Sequence, residues 1–343
     1  KRILKSSLII RNSTNKNNNV RQTKKEYTKR VRKILKTKLN ARNTIQAINT
    51  WAIPVIRYTA GIIDWTKEEL AKLDRKTRKL MSIHHALHPK SDIDRLYHSR
   101  KEGGRGLLQV TQTVEEECKS LSDYIKSNNE WALKQVWKEG LLKETETKEE
   151  YKNRVKQERE NNWESKRLHG QYMRDISDKI DQHATWSWLR TGYLKKETEG
   201  LILAAQEQAI RTNAIKAKID RTTINLKCRL CKEMDGTIDH LISGCCKIAQ
   251  TDYKERHDKV AAMLHWNLCK KYNIPTTDKW WEHKIEKVVE NESVKILWDF
   301  RIQTDKRLPH NMPDITVVEK EQVCIIDVAI PGDSRIKMKE QEK

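Results

Sequence analysis

Long apolar segments and secretory features are missing from this sequence. No apolar run approaches the roughly 18–20 residues of a membrane-spanning helix, so an integral membrane protein is excluded. The chain begins at Lys1 rather than Met and lacks the pattern of a signal peptide, so we expect a fragment of a longer protein and not a secretory precursor. Hydrophobic residues make up only 36%, with one Phe against 11 Trp, which is little for one large core in 343 residues.

Cysteine is also scarce. Seven cysteines in 343 residues are too few for a disulfide scaffold. Four of them lie within residues 228–246, whereas Cys118, Cys269 and Cys324 are scattered. The clustering predicts a local metal site in a reducing compartment, and the scattered cysteines are predicted to be small core residues.

Positive charge is abundant and unevenly distributed. The chain has 69 Lys and Arg against 48 Asp and Glu, a net charge of +21. Residues 1–50 hold 15 basic residues and one acid, Glu26, and so contribute +14 of that excess. Such a segment attracts polyanions because each neutralised phosphate releases a condensed counterion. Nucleic acid is therefore the predicted partner, while an anionic membrane surface and a merely solvated basic face are the alternatives.

Hydrophobic periodicity predicts helices through most of the chain. Residues 11–24, rich in Asn, Ser, Thr and Lys, are predicted to be a loop or disordered. A basic amphipathic helix follows, whose apolar positions are Tyr27, Val31, Ile34, Leu35 and Leu39. The basic residues predicted to contact nucleic acid on this helix and the next are Lys24, Lys25, Arg30, Arg32, Lys33, Arg75 and Arg78.

Local signals predict several element boundaries. Pro54 should end or kink any helix within the apolar segment 45–63. Thr66 and Glu69 form a capping-box pattern that starts the next helix. The sequence is almost wholly helix-compatible from about 114 to 218, and helical stretches run from about 250 to about 300, whereas the Gly-rich run 102–106 is predicted to be a tight, structural loop. Two short β-branched runs, 315–318 and 323–326, predict a β-hairpin.

Four residues have the spacing of a zinc site. The pattern is Cys228-x2-Cys231-x8-His240-x4-Cys245, with Cys246 as an alternative fourth ligand. A tight Cys-x2-Cys turn presents two thiolates to one tetrahedral Zn²⁺, and a following short helix can supply the His and the last Cys. Four protein ligands leave no open position, so the predicted site is structural. The alternative is a set of reduced core cysteines.

Two aspartates lie on the predicted hairpin. Asp314 opens the first strand and Asp327 lies near the end of the second, so antiparallel pairing can bring both carboxylates to one edge. Two carboxylates can hold Mg²⁺ or Mn²⁺ for phosphodiester hydrolysis, because the ion activates the attacking water and neutralises charge on phosphate. Turn or edge residues without a catalytic role are the alternative.

Four stretches together resemble the C-terminal part of non-LTR (LINE-like) retrotransposon reverse transcriptases that carry a restriction-like endonuclease. In chain order they are AINTWAIPVIRY (47–58) with LDRKTRK (73–79), DRLY (94–97) with RKEGGRGL (100–107), CRLC (228–231) with HLISGC (240–245), and PDI (313–315) with IDVAIP (326–331). The resemblance implies target-primed reverse transcription, with element RNA and target DNA as partners and the nucleus as the site of action.

The resemblance also implies a fold: mostly α with a small α/β end. Its expected parts are the basic end of the polymerase core (1–44), a helical thumb (45–130), a helical linker (131–225), a CCHC zinc knuckle (226–248) and a truncated PD-(D/E)xK-like nuclease domain (249–343). Asp314 and Asp327 would be the metal-binding pair of the nuclease. Membrane partners are not expected.

Two departures from the family pattern affect the expected activity. The residue two after Asp327 is Ala329 instead of the usual lysine, so the lysine role is expected further downstream, at Lys337, Lys339 or, as we predict, Lys343. No Tyr/Phe-x-Asp-Asp motif occurs, so this chain is not expected to polymerise DNA alone. A non-catalytic RNA- or DNA-binding zinc module from a degenerate element is therefore the alternative to a DNA-nicking enzyme.

Overall fold

The computed structural model describes residues 13–138, 146–176, 180–306, 311–332 and 335–342. The chain is mostly helical there, with a four-stranded antiparallel sheet near its C-terminus. It divides into two units, Lys1–Ile210 and Arg211–Lys343, at a boundary inside the predicted linker. The prediction of a mostly helical protein with a small strand-containing end is confirmed.

The first unit is built from helices of varied length. They are α1 (Ser13–Leu35), α2 (Ala41–Ala47), α3 (Ile53–Arg57), α4 (Lys67–Ile83), α5 (Ile93–Tyr97), α6 (Val110–Ser127), α7 (Trp131–Lys138), α8 (Lys148–Ser165), α9 (Gln171–Arg174), α10 (Gln182–Thr185), α11 (Ser187–Thr191) and α12 (Lys196–Gln206).

Helix α1 buries its apolar face in the core of this unit. Tyr27, Val31, Ile34 and Leu35 are at most 4% exposed, as the helical spacing predicts. Leu39 lies beyond the end of the helix and is exposed, so its predicted place on this face is wrong. The predicted loop over 11–24 is also wrong from Ser13 onward. The segment from Ser13 to Lys24 has a weak intrinsic helix propensity. The burial of Val20 shows that tertiary packing stabilises the helix in spite of it.

The predicted boundaries around Pro54 and Thr66 agree with the structure. A π-helical turn, Ile48–Ala52, interrupts the helical path before α3, and Pro54 stands in the first turn of α3, where no backbone N–H is required. Helix α4 starts with the predicted capping box: Thr66 Oγ1 accepts from the Glu69 N–H, and the Glu69 carboxylate accepts from the Thr66 N–H.

The Gly-rich loop at 102–106 has structural contacts, as predicted. Gly103 has a φ of +86°, and a Cβ at Gly104 would lie 2.3 Å from the His98 carbonyl oxygen. The loop turns Arg105 inward, where its Nε lies 3.1 Å from Glu199 Oε1 on α12. Arg100 lies 2.6 Å from the other oxygen of the same carboxylate. This buried ion group connects the loop to α12.

The second unit combines short helices with the sheet. Its elements are α13 (Asn213–Lys218), a π-helical turn (His240–Gly244), α14 (Cys246–Ile248), a second π-helical turn (Ala249–Tyr253), α15 (Lys254–Lys271), a 3-10 turn (Trp280–Glu282), β1 (Val288–Glu290), β2 (Val294–Trp298), β3 (Ile315–Glu319), β4 (Val323–Ile326) and α16 (Ile336–Glu342).

The sheet is an antiparallel meander in the order β1-β2-β3-β4. The predicted hairpin is confirmed as β3 and β4, with Ile315 opposite Ile326. The prediction of helix to about residue 300 is wrong, because β1 and β2 form a second hairpin after α15 ends. Asn291 Oδ1 stabilises its turn by accepting hydrogen bonds from the N–H groups of Ser293 and Val294, at 2.9 and 3.0 Å.

The scattered cysteines differ in burial. Cys269 is 1% exposed within the core of the second unit, and Cys118 packs against the core of the first. Cys324 is exposed on the edge strand β4, so the prediction that it is a core residue is wrong.

Glu199→Gln is expected to destabilise the first unit. The substitution leaves the buried guanidinium of Arg105 without its counter-charge, which should cost about 3 kcal/mol in the free energy of unfolding. Glu197→Gln on the same helix is the control, because the Glu197 side chain is 51% exposed and should contribute under about 0.5 kcal/mol. Hydrogen exchange of α12 amides at increasing urea concentration measures both changes. Equal protection loss in the two variants would contradict a structural role for the buried carboxylate.

Candidate metal centre and nucleic-acid surface

A basic groove lies on the first unit and is lined by side chains of α1, of Lys36 just after it, and of α4. It encloses about 800 Å³, and its basic lining residues are Arg21, Lys24, Lys25, Lys29, Arg32, Lys33, Lys36 and Lys76. Glu69 is the acidic residue of the lining, and its Oε1 lies 2.6 Å from Lys24 Nζ. Most of the positive charge of the groove is therefore not neutralised within it.

The predicted nucleic-acid contacts fall into two sets. Lys24, Lys25, Arg32 and Lys33 line the groove. The remaining three, Arg30, Arg75 and Arg78, are not part of its lining.

Two of these three have other partners. Arg30 Nε donates to Glu26 Oε1 at 2.9 Å, and its guanidinium lies over the Trp51 ring, 5.3 Å from the centroid. Arg78 donates to the Tyr97 hydroxyl at 2.8 Å. Arg75 is exposed on α4. Charge patterning along the sequence located the basic helix but could not tell groove residues from residues engaged in packing.

The four predicted zinc ligands converge in the second unit. Cys228, Cys231 and Cys245 are at most 7% exposed and His240 is 8% exposed. One ligand atom from each lies within 4.8 Å of the other three. Cys228 Sγ is 4.0 Å from Cys245 Sγ, and Cys231 Sγ is 3.4 Å from His240 Nε2. These four residues, here called the CCHC group, can hold a metal ion, and their donor set is compatible with zinc.

The alternative fourth ligand, Cys246, is not part of this group. Its thiol is exposed and lies 3.8 Å from Glu233 Oε2. The spacing-based preference for Cys245 therefore agrees with the geometry.

A tight turn presents the first two thiols. The Cys228 N–H donates to the Met234 carbonyl at 2.8 Å, and the Lys232 N–H donates back to the Cys228 carbonyl at 3.0 Å. Lys232 has a φ of +62°, a conformation that closes the turn. Backbone N–H groups of Met234 and Glu233 lower the pKa of Cys231 to about 6. The turn thereby favours the thiolate that a metal requires.

Tyr253 supports the other two ligands and was missed by sequence reasoning. Its hydroxyl donates toward the carbonyls of His240 and Leu241, at 3.1 and 3.0 Å, and accepts from the Cys245 N–H at 3.0 Å. It thus holds the backbone of His240 and the backbone of Cys245 together. The sequence contains no signal for this contact beyond a tyrosine eight residues after Cys245.

The two predicted nuclease aspartates also come together. Asp314 and Asp327 lie just beyond the paired residues Ile315 and Ile326, and their carboxyl groups are in hydrogen-bond contact. The Val328 N–H donates to Asp314 Oδ2 at 2.6 Å. Burial raises the pKa of Asp314, and the neighbouring Asp327 raises it further, against the opposing effect of the Val328 N–H. The two adjacent carboxyl groups therefore favour binding of a proton or of a cation between them.

His257 on α15 adds a third polar group to this aspartate pair. Its Nε2 lies 3.3 Å from Asp314 Oδ2 and 3.2 Å from the Val328 carbonyl oxygen, and its Nδ1 lies 3.1 Å from Asp258 Oδ1. Burial lowers the pKa of His257, but its hydrogen bond with Asp258 and the charge of Asp314 outweigh this effect and raise it. The contact between α15 and the sheet brings His257 to the pair, and no sequence motif marks it.

The predicted catalytic lysine, Lys343, lies outside the described residues. Ala329 occupies the position where the common nuclease pattern has lysine.

No family model matches the chain, and no curated protein matches it either. None of the helices in the described part of the chain combines the length and apolar character needed to span a bilayer.

Cys228→Ser is expected to remove one bound Zn²⁺ per chain when Zn²⁺ is used as the probe, because a neutral serine hydroxyl cannot replace the buried Cys228 thiolate in the group. Cys246→Ser is the matched control, since its exposed thiol lies outside the group, and it should retain the wild-type zinc content. Elemental analysis of the dialysed proteins measures both. Equal loss in the two variants would contradict the ligand assignment.

Proposed function

We propose that this chain is the nucleic-acid-binding and DNA-nicking C-terminal portion of a non-LTR retrotransposon reverse transcriptase. The basic groove between α1 and α4 carries this proposal. Its partners would be the element RNA and the chromosomal target DNA, and its place of action the nucleus. The ordered sequence resemblance supplies the biological context, and the groove supplies the physical basis for binding.

The groove suits a phosphate backbone better than a small anion. Its basic residues recur along α1 and just past its end, from Arg21 to Lys36, a separation of 15 residues and therefore about 22 Å at the helical rise. Consecutive phosphates along one strand are several ångströms apart, so such a row can neutralise several of them and release their counterions. Glu69 offsets only Lys24 at the groove wall.

The aspartate pair supports the nicking activity. Asp314 and Asp327 would hold Mg²⁺ or Mn²⁺ through carboxylate oxygens, which such hard ions prefer. The ion would supply an activated water and charge neutralisation on the phosphate. His257 would position the Asp314 carboxylate through their 3.3 Å contact. Lys343 remains the predicted lysine of the site.

The CCHC group would hold a structural zinc ion. Four protein ligands leave no position for substrate, so its role would be to order the segment from Cys228 to Tyr253. Metal binding there would couple to local folding, because a ligand group of this kind is not preformed in the unfolded chain.

A non-catalytic binding module is the second candidate. Two observations favour it: Asp314 Oδ2 is already engaged by the Val328 N–H and by His257, and Ala329 replaces the usual lysine. In that case the groove and the zinc group would operate without hydrolysis.

Neutralising the groove is expected to reduce the salt dependence of nucleic-acid binding. The variant Lys25→Gln, Arg32→Gln, Lys33→Gln removes three exposed charges that line the groove. The slope of log K against log salt for duplex DNA should become shallower by about 2.7, since each phosphate contact contributes about 0.9. Fluorescence anisotropy over a salt series measures this slope.

Its control removes the same number of charges elsewhere on the first unit, by changing Lys126, Lys134 and Arg167 to Gln. This variant should keep the wild-type slope. The same slope in both triple variants would show that total charge, and not the groove, governs binding.

Asp314→Asn is expected to abolish Mg²⁺- or Mn²⁺-dependent nicking of supercoiled plasmid, because the amide cannot supply a charged metal ligand. Asp278→Asn, an exposed aspartate outside the pair, should nick like the wild type. Nicking that survives Asp314→Asn would contradict the assigned site. Intact DNA binding without nicking in the wild type would favour the non-catalytic module.

A further inference from the structure

A second group of His and Cys side chains lies in the second unit. His265 and Cys269 stand one turn apart on α15, and His283 follows the 3-10 turn Trp280–Glu282. His265 and Cys269 are at most 1% exposed, and His283 is half-buried. One ligand atom from each residue lies within 4.8 Å of the other two. We propose that His265, Cys269 and His283 bind a second Zn²⁺ ion, distinct from that of the CCHC group.

Hydrogen bonds alone do not account for the contacts of His265 Nδ1. This atom lies 2.8 Å from His283 Nε2 and 3.6 Å from Cys269 Sγ. An imidazole nitrogen carries either one hydrogen or one lone pair, so it can serve only one of these contacts well. A metal ion among the three atoms serves all of them.

The spacing is close to that of zinc ligands. Zinc–ligand bonds of about 2.0–2.3 Å place the ligand atoms of a tetrahedral site roughly 3.3–3.8 Å apart. The distance from His265 Nδ1 to Cys269 Sγ, 3.6 Å, is within this range. The contact between the imidazole nitrogens would have to lengthen by about 0.5 Å. A small shift of the half-buried His283 is sufficient.

Thr276 orients His283 for such a role. Its Oγ1 lies 2.9 Å from His283 Nδ1. When Nδ1 carries the ring hydrogen and donates it to this hydroxyl, Nε2 keeps its lone pair and directs it toward His265 and Cys269. Metal-bound histidines commonly have such an outer partner, which selects the tautomer that can bind the ion.

Two imidazoles and one thiolate form a donor set suited to Zn²⁺, and a fourth position remains for water. The ion would link α15 to the segment that leads into β1. The core beside it consists of Cys269, Ile274, Val294, Ile296, Ile315 and Val317. A metal link would add stability where so few apolar side chains are buried.

Zinc content of the full chain and its variants tests the proposal. His283→Gln and Cys269→Ser should each contain one zinc ion per chain fewer than the wild type. Cys324→Ser is the control, because this exposed cysteine lies outside both metal groups, and it should keep the wild-type content. Wild-type content in both His283→Gln and Cys269→Ser would overturn the proposal.

His283→Gln is the deciding variant if Cys269→Ser fails to fold, because His283 is half-buried and its loss leaves the core intact. Unchanged circular dichroism with one zinc ion fewer supports the site. Unchanged dichroism with wild-type zinc overturns it.

Cobalt substitution separates this site from the CCHC group. The CCHC group has three thiolate ligands and the second site has one. In Cys228→Ser, the remaining Co²⁺ should show charge transfer from a single thiolate, and adding Cys269→Ser should remove it. If Cys228→Ser loses no zinc, the zinc assignment of the CCHC group is wrong and that of the second site is unaffected. If adding Cys269→Ser leaves the cobalt spectrum of Cys228→Ser unchanged, the assignment of the second site is wrong and that of the CCHC group is unaffected.

Discussion

The first unit depends on the buried ion group around the Glu199 carboxylate. The carboxylate accepts from Arg100 and Arg105 and thereby connects the Gly-rich loop to α12, while Arg105 also donates to the Ala86 carbonyl at 2.5 Å. A chain with only 36% hydrophobic residues has little apolar surface to bury, so inward ion pairs of this kind fix segments that a larger core would otherwise hold. Removing one partner is costly because the other charge stays buried.

Local sequence signals predicted much of the fold, and tertiary contacts decided the rest. The capping box of α4, the β3–β4 hairpin and the apolar face of α1 follow from residues close together in sequence. The β1–β2 hairpin had a signal too, in β-branched residues on both sides of Asn291, which the prediction of helix to about residue 300 did not use. The start of α1 could not be predicted, because it depends on the burial of Val20.

The candidate sites were predictable to the extent that their residues are close in sequence. Spacing alone selected the CCHC group, and strand pairing placed Asp314 beside Asp327. Their supporting groups come from elsewhere in the fold: the Tyr253 hydroxyl contacts the backbone of the CCHC group, and His257 contacts Asp314 from α15. The same applies to His265 and His283, which only the packing of α15 brings together.

The proposed binding of nucleic acid rests on the basic groove, whose lining carries eight basic residues and one acidic residue. The most direct test of this account is photocrosslinking of a single-stranded RNA carrying 4-thiouridine, with the attached peptides identified by mass spectrometry. Crosslinks within Ser13–Leu35 and Lys67–Ile83, the two helices that line the groove, are the predicted result. Crosslinks confined to other parts of the chain would contradict it.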